Sequence, residues 1–121
     1  KYPWGDEVAS CAFAVMKENQ RDGCGFEGVG VVCSKSRGST PEGVCDLAGN
    51  VWEWCSDGYQ DNYYTVSAKN NHQGVPNSPT NVLRGGSWNE SPNSCEVNYR
   101  NYDVPWNRGW RTGFRLVIVN E

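Results

Sequence analysis

The sequence predicts a small mixed domain of short strands, one short helix and many specified turns. Its 121 residues match the usual size of one domain, so we expect residues 1–121 to fold as a single unit. Alanine and leucine are scarce, whereas 14 glycines and 6 tryptophans are present, and this disfavours long helices. Large aromatic side chains then supply the buried area that a few aliphatic residues cannot.

The first half of the chain is expected to hold little regular structure. Residues 8–16 are the best helix candidate, with Asp6 or Ser10 as its cap. Residues 18–30 are polar and glycine-rich and predict a loop. Residues 31–32 predict a short strand, and residues 34–43 carry turn chemistry throughout.

The second half carries the stronger strand signals. Residues 51–54 and 82–84 predict strands because β-branched and aromatic residues favour them. Residues 57–80 predict a long surface loop, which includes His72 as a solvated residue. Residues 87–113 are irregular and aromatic-rich, and residues 113–119 predict a closing strand that is apolar enough to be central.

Charge and hydropathy exclude two classes of function. The chain has 11 Lys and Arg against 14 Asp and Glu, so it offers no basic surface for nucleic acid. Its longest apolar run, residues 116–119, is four residues long, far below the ~20 that a membrane helix needs. We therefore expect no nucleic-acid partner and no membrane insertion.

The six cysteines predict a disulfide framework, because an even count in a short, loop-rich chain is typical of one. Disulfides imply an oxidising location, so the protein is expected to be secreted, periplasmic or on the cell surface. The alternative is a zinc site, but zinc sites favour closely paired cysteines and histidines, and these cysteines are widely spaced. Six cysteines allow 15 pairings, and the choice among them stays open. They are Cys11, Cys24, Cys33, Cys45, Cys55 and Cys95.

Four sequence blocks stand in order along the chain: YPWG at 2–5, GVCDLAGNVWEW at 43–54, VLRGGSW at 82–88 and GFR at 113–115. Together they resemble the formylglycine-generating-enzyme family, also called sulfatase-modifying factors. The resemblance implies an α+β, C-type-lectin-like fold with small twisted antiparallel sheets, one or two short helices and much irregular structure. It covers the C-terminal half of a usual family domain. We therefore expect a C-terminal module or fragment of a longer protein, which could assemble into oligomers through the missing N-terminal part.

The resemblance carries over only half of the family's catalytic pair. In the family oxidases, two cysteine thiolates bind copper(I), and they lie two and seven residues after the aromatic residue of the Gly-Gly-Ser-aromatic block. Those positions are Glu90 and Cys95 here. A carboxylate is a poor ligand for copper(I), so copper is not expected and Cys95 is the only matching catalytic residue. We expect Cys95 to be a half-cystine, with Cys55 as a plausible partner.

The fold also occurs in iron-dependent sulfoxide synthases, which need a histidine-rich iron site. The chain has one histidine, His72, and cannot build such a site alone.

The resemblance also implies a structural calcium site around the central block. Asp46 and Glu53 would supply carboxylates, and Leu47, Gly49 and Val51 would supply carbonyls. Calcium takes six to eight hard oxygen ligands, and a tight glycine-containing loop can turn alternate carbonyls inward. The alternative is that Asp46 caps a turn and Glu53 faces solvent.

The segment 89–110 predicts a ligand-binding surface, since aromatic anchors among Asn, Ser and Gly are typical of recognition loops. The alternative is that an irregular segment needs Asn and Gly for its turns. We hypothesise a non-catalytic ligand-binding or adhesion module, bacterial and surface-exposed, whose partner is a protein or glycan at a cell surface. The competing hypothesis is a formylglycine-generating oxidase or a remnant of one. The candidate contact residues are Asn89, Asn93, Asn98, Tyr102, Trp106 and Trp110.

Two further groups have expected structural roles. The resemblance implies that Arg84 and Arg115 lie near the edge of the core, where a guanidinium can satisfy backbone carbonyls of irregular segments. The expected core aromatics are Trp52, Trp54, Trp88 and Phe114.

Overall fold

The fold is built on one four-stranded mixed sheet. The computed structural model describes residues 1–70 and 74–120, and in that part of the chain the strand order is β3-β2-β1-β4. The pairs β1–β2 and β2–β3 are antiparallel, whereas β4 runs parallel to β1. The strands are β1 (Trp52–Gly58), β2 (Asn81–Arg84), β3 (Asn101–Asp103) and β4 (Thr112–Gly113).

The helical content is low, as the composition predicts. One short α-helix, α1 (Tyr63–Val66), lies between β1 and β2. Three 3₁₀ turns span Asp22–Gly25, Ser36–Gly38 and Pro92–Cys95. The α+β architecture with small sheets and much irregular structure is therefore confirmed, with the difference that β4 makes the sheet mixed rather than antiparallel.

Strand β1 organises the sheet. It begins at Trp52, one residue inside the predicted strand at 51–54, and continues to Gly58. Glu53 lies opposite Arg84 of β2, and Trp54 lies opposite Leu83. Cross-strand side-chain pairs each contribute roughly 0.2–1 kcal/mol, so the Trp54–Leu83 pair favours this register, whereas the charged groups of Glu53 and Arg84 bond to other partners.

The hydrophobic core lies between the N-terminal segment and the turns of the central block. Tyr2 stacks on Trp4 at a centroid distance of 5.1 Å, and Trp4 stacks on Phe13 at 4.9 Å. Offset stacking adds about 0.5–1.5 kcal/mol per pair beyond the buried area. The core cluster consists of Tyr2, Ala9, Ala14, Met16, Ala48 and Cys95.

A buried asparagine, Asn50, connects three separate segments to the central block. Its N–H donates to the carbonyl of Val15 at 2.8 Å, and its own carbonyl accepts from the N–H of Trp88 at 2.9 Å. Its side-chain Oδ1 accepts from the N–H of Gly30 at 2.8 Å. The backbone φ of Asn50 is +65°, a left-handed conformation that asparagine tolerates better than most residues.

The predicted helix at 8–16 is wrong. Only one turn forms there, with the N–H groups of Phe13 and Ala14 both donating to the carbonyl of Ser10. Ala14, Val15 and Met16 are buried in succession, whereas a surface helix buries residues at spacings of three and four. The carbonyls of Val15 and Met16 bond to other segments of the chain, so tertiary contacts replace the helical ladder.

Two of the predicted strands also differ. Residues 31–32 are exposed and belong to a turn, closed by the N–H of Ser34 donating to the carbonyl of Val31. The closing strand at 113–119 is reduced to β4, which pairs with β1 over two residues. Beyond it Phe114 is 73% exposed and the apolar residues 116–119 are also exposed, so Phe114 is not a core residue. Trp52 and Trp88 are buried as predicted, and Trp54 is half-buried.

The predicted loop at 57–80 is interrupted by the end of β1 and by α1. His72 lies outside the described residues. Among the helices of the described segments, none has the length and apolarity needed to cross a bilayer.

We expect Gly49→Ala to lower the free energy of unfolding by more than ~2 kcal/mol. A Cβ at Gly49 would lie 2.5 Å from the carbonyl oxygen of Val15, and its φ is +73°. The left-handed backbone alone costs roughly 1–2 kcal/mol for a residue other than glycine. Gly43→Ala is the matched control, because Gly43 has a φ of +86° but open space around its Cβ position. Urea denaturation measures both; equal losses would contradict the proposed clash.

Candidate functional site

The two positions of the oxidase pair form no thiolate pair. Glu90 stands at the first position, where its Oε2 accepts from the hydroxyl of Ser94 at 3.4 Å and its Oε1 lies 3.9 Å from Nη1 of Arg111. Cys95 ends the 3₁₀ turn Pro92–Cys95 and is 1% exposed. The first position is thus a carboxylate held by a hydroxyl and a guanidinium, and the second is buried.

The surroundings of Cys95 make its thiol unreactive. Burial raises the pKa of the Cys95 thiol to about 12, Glu90 raises it further, and a hydrogen bond with the backbone of Gly49 opposes the rise. The backbone approaches closely here, because a Cβ on Gly86 would lie 3.0 Å from Sγ of Cys95. Nucleophiles and copper ligands are thiolates, and this pocket disfavours the thiolate.

The disulfide framework is present but involves four cysteines rather than six. Disulfides join Cys11 to Cys24 and Cys33 to Cys45, whereas the other two cysteines are free. The predicted half-cystine role of Cys95, with Cys55 as its partner, is therefore wrong.

The reason is that the two free thiols lie in different environments. Cys55 lies on β1 and lines a cavity beside α1 with Tyr63 and Arg100. Cys95 packs in the core cluster with Tyr2 and Met16. Burial raises the pKa of the Cys55 thiol as well, with Arg84 opposing the rise.

The positively charged side chain of Arg115 lies at the predicted calcium site. The guanidinium of Arg115 donates from Nε to Oε2 of Glu53 at 2.7 Å, and its Nη2 bonds to Oε1 of the same carboxylate. The same guanidinium donates to the carbonyls of Cys45 at 3.3 Å and Asp46 at 3.2 Å. This bidentate contact with Glu53 raises the pKa of Arg115. The predicted role of Arg115 in satisfying carbonyls agrees with these contacts, but its pairing with Glu53 was not foreseen.

Of the other predicted calcium ligands, Asp46 and Leu47 have neighbours elsewhere in the chain. Oδ2 of Asp46 accepts from the N–H of Cys33 at 2.6 Å. The carbonyl oxygen of Leu47 faces Gly85, where a Cβ would lie 2.7 Å from it. Gly49 donates its N–H to the carbonyl of Gly85, and Val51 lies half-buried before β1. With Arg115 bonded to Glu53, this carboxylate is not available to an ion, so calcium stays a prediction that requires Arg115 to leave Glu53.

A second arginine has the structural role predicted for it. Nη1 of Arg84 donates to the carbonyls of Val97 at 2.9 Å and Tyr99 at 3.1 Å, and Nη2 donates to the hydroxyl of Tyr64 at 2.5 Å. Arg84 therefore joins β2 to the segment after the turn Pro92–Cys95.

Three of the predicted contact residues lie on β3 and the connection that follows it. Tyr102 is on β3, Trp106 is in a turn closed by Asn107 N–H to the carbonyl of Val104, and Trp110 is in the next turn. Trp106 is 75% exposed and Trp110 is 82% exposed. We call Tyr102, Trp106 and Trp110 the aromatic surface.

The aromatic surface is anchored to the fold at both ends. Tyr102 stacks on Tyr59 at 4.2 Å, and the guanidinium of Arg100 lies 5.0 Å from the Tyr59 ring. Trp110 makes an edge contact with Trp88 at 6.1 Å. Trp88 also lines an open polar cavity of about 440 Å³ formed with residues of the segment 20–27. Tyr102 and Trp110 therefore each pack against another ring, and the ring under Trp110 lines a concave surface.

The three predicted asparagines are less closely connected to the aromatic surface. Asn89 is half-buried, and its Oδ1 accepts from the hydroxyl of Ser87 at 2.8 Å. Asn93 lies in the turn Pro92–Cys95 and Asn98 follows it, both exposed. Within residues 1–70 and 74–120, the ring contacts and side-chain hydrogen bonds that we find do not join Asn93 or Asn98 to Tyr102, Trp106 or Trp110.

Comparison with protein-family models gives one match over almost the whole chain. The model described as "Sulfatase-modifying factor enzyme 1-like domain" matches residues 1–120.

Individual relatives are similar over much of this chain but are much longer. A protein named serine/threonine-protein kinase pkn1, from Chlamydia caviae, is 31% identical over 117 residues, which are 90% of this chain and 19% of that protein. The formylglycine-generating enzyme of Streptomyces coelicolor is 36% identical over 84 residues, which are 67% of this chain and 27% of that protein. The chain thus spans about a fifth to a quarter of the length of these relatives.

A solved structure agrees with the fold. The structure of PvdO from Pseudomonas aeruginosa superposes with a TM-score of 0.73 at 26% identity, covering 91% of this chain and 40% of that chain.

We expect Cys95 to resist alkylation in the folded protein. With a pKa of about 12, roughly one thiol in ten thousand is ionised at pH 8. Iodoacetamide followed by mass spectrometry should modify Cys55 slowly and Cys95 only after denaturation. The raised pKa also makes stability depend on pH. The folded protein holds the Cys95 proton more tightly than the unfolded chain does. This contribution to the free energy of unfolding is therefore complete below the unfolded pKa of the thiol and is lost as the pH rises towards 12. Native labelling of Cys95 at the rate of a free thiol would contradict the buried geometry.

We expect Arg115→Gln to lower the free energy of unfolding by about 1 kcal/mol. Bonds to charged groups are worth more, but Arg115 is 38% exposed, so solvent screening reduces the loss. Arg111→Gln, which removes a longer ion pair with Glu90, is the control and should cost less than about 0.5 kcal/mol.

The melting temperature of the wild type tests calcium. The melting temperature of the wild type should not change with EDTA or calcium, because Arg115 already neutralises Glu53. A fall in melting temperature on chelation would instead support the predicted calcium site, since a bound ion stabilises by mass action.

Proposed function

The chain belongs to the family of sulfatase-modifying factor enzyme 1-like domains, and from that premise we propose that it is a non-catalytic ligand-binding or adhesion module that binds through its aromatic surface. The observation that carries the proposal is the exposure of Trp106 and Trp110 on a polar, arginine- and asparagine-containing connection. A tryptophan buries ~150–250 Å², which at ~25 cal/mol per Å² is a gross gain of about 4–6 kcal/mol when a partner covers it.

The composition around these rings supports recognition rather than packing. Tryptophan and tyrosine provide rigid contact area at low entropy cost, and Asn and Ser provide adaptable hydrogen bonds. Asn93 and Asn98 are exposed on the preceding segment and extend the proposed surface with polar groups. The half-buried Asn89 acts as a support, because its amide oxygen bonds to Ser87. A protein or glycan at a cell surface suits this mixture of flat aromatic faces and amides.

The two disulfides support a location outside the reducing cytoplasm, so we propose a secreted, periplasmic or surface-exposed protein. The chain would act as one module of a longer protein, since relatives such as the pkn1 protein of Chlamydia caviae are about five times longer.

The competing function is oxidation of a cysteine to formylglycine, and the name of the Streptomyces coelicolor relative favours it. The site speaks against it, because Glu90 supplies a hard ligand and Cys95 is a buried thiol. Even a cysteine at position 90 would face a partner that is protonated at neutral pH.

We expect Trp106→Ala and Trp110→Ala each to weaken binding about 30-fold, which corresponds to the ~2 kcal/mol of an interface hot spot. Ligands would be found on a glycan array and on a panel of cell-surface proteins, and dissociation constants measured by surface plasmon resonance. Phe26→Ala is the matched control, because Phe26 is 86% exposed and lines a different cavity.

Trp106→Ala should keep the wild-type melting temperature, whereas Trp110→Ala should lower it slightly because it loses the edge contact with Trp88. Unchanged affinity in both would refute the proposed surface. Formylglycine on a cysteine-containing peptide, detected by mass spectrometry, would support the oxidase instead.

A further inference from the structure

Two cysteines and an aspartate converge at the surface of the loop 31–46. Sγ of Cys33, Sγ of Cys45 and a carboxylate oxygen of Asp46 lie within 4.8 Å of one another. Cys33 is exposed, and Cys45 and Asp46 are half-buried. Solvent therefore reaches the two sulfur atoms, and the carboxylate of Asp46 lies beside them.

The backbone fixes this arrangement. Cys33 and Asp46 both have left-handed φ angles, +58° and +57°, which turn the two loop ends towards each other. The N–H of Cys33 donates to Oδ2 of Asp46 at 2.6 Å. Oδ1 of Asp46 accepts no hydrogen bond from the described residues. A carboxylate with one oxygen held by the backbone and one oxygen free is arranged like a metal ligand with an outer-shell support.

We propose that Cys33, Cys45 and Asp46 form a redox-gated site for a thiophilic divalent cation such as Zn²⁺. In the oxidised protein the sulfurs are bonded to each other and are not thiolate ligands. Two equivalents of a thiol reductant break the disulfide, giving two cysteine thiols and one disulfide of the reductant. The cation then binds both sulfurs and displaces two protons to solvent, and water completes a four-coordinate shell.

Such an ion would leave a small net charge at the site. Two thiolates and one carboxylate carry −3, and a divalent cation leaves −1. The guanidinium of Arg115 bonds to the carbonyls of Cys45 and Asp46 at the same loop end, but its charge is paired with Glu53. Ligands of tetrahedral zinc lie roughly 3.5 Å apart, so the sulfurs must separate after reduction while the carboxylate moves inward.

The second disulfide lacks the spacing of these ligands. The sulfur of Cys24 lies against the carbonyls of Ala14 and Met16. The carboxylate of Glu18 accepts from the N–H of Cys11 at 3.1 Å, but it does not form a cluster within 4.8 Å of both sulfurs. Among the described residues, Cys33, Cys45 and Asp46 are the one group of three acidic, cysteine or histidine ligands that meets this spacing.

The test is a cadmium titration of the full chain before and after reduction. A phosphine reductant is used because it competes weakly for metal, and the ultraviolet thiolate-to-cadmium band reports binding. We expect no band in the oxidised protein and one equivalent of Cd²⁺ bound after reduction, with Zn²⁺ displacing it. Asp46→Asn should weaken binding at least about tenfold, whereas Asp57→Asn, an aspartate beside the free Cys55, should not change it.

A second variant separates the site from the other thiols. Cys33→Ser/Cys45→Ser keeps Cys11, Cys24, Cys55 and Cys95 and should abolish the band; circular dichroism checks that it is folded. The proposal is overturned if this variant retains the band, if reduced wild type shows none, or if Asp46→Asn binds as tightly as wild type.

Discussion

The structure depends on the three hydrogen bonds of Asn50. This residue connects the buried segment at Val15, the loop at Gly30 and the turn at Trp88, none of which is held by a helix or a sheet. In a chain with so little regular structure, buried backbone groups must find partners one at a time, because an unpaired group costs ~1–3 kcal/mol. Two of the bonds come from the Asn50 backbone, which has a positive φ, and the third comes from the oxygen of its short side chain. Gly49, immediately before it, allows the same close approach.

Two arginine side chains likewise supply hydrogen-bond donors to backbone carbonyls at the edges of the fold. Arg84 satisfies the carbonyls of Val97 and Tyr99, and Arg115 satisfies those of Cys45 and Asp46. Each guanidinium has five donors in a plane, so one side chain can complete two irregular segments at once. At Arg115 the same geometry neutralises a carboxylate, which places a covalently attached cation where the family resemblance implies a bound ion.

Much of the architecture was predictable from local sequence. The strands at β1 and β2 followed from tryptophan, valine and leucine in short runs bounded by glycine and asparagine, and the fold followed from four spaced blocks. The prediction of a helix at 8–16 is wrong because four consecutive residues, 13–16, are buried there. The closing strand failed because β4 pairs with β1 over only two residues. The apolar content of a segment does not by itself predict whether a neighbouring strand can pair with it.

The candidate site shows the same limit. Exposure of Trp106 and Trp110 agrees with the aromatic-and-asparagine composition of their segment. Which cysteines pair could not be predicted, because spacing leaves many connectivities open and the core position of Cys95 is set by tertiary packing. Asp46 and Glu53 are seven residues apart in a plausible calcium loop. Their carboxylates nevertheless take different partners, since one is beside Cys33 and the other faces Arg115, 62 positions away. Long-range pairs of this kind leave no local signal.

The exposed residues 116–119 have a consequence for the behaviour of the chain in concentrated solution. Leu, Val, Ile and Val in succession combine high β-propensity with no charge, and they follow the strand at the end of the sheet. Such a segment can act as a template for intermolecular β-pairing. A flanking charge usually opposes this, but the charge of Arg115 is engaged by Glu53. The ion pair between Arg115 and Glu53 therefore reduces the charge repulsion that opposes self-association. The solubility of the chain should depend on whether the Arg115 guanidinium is bound to Glu53 or free.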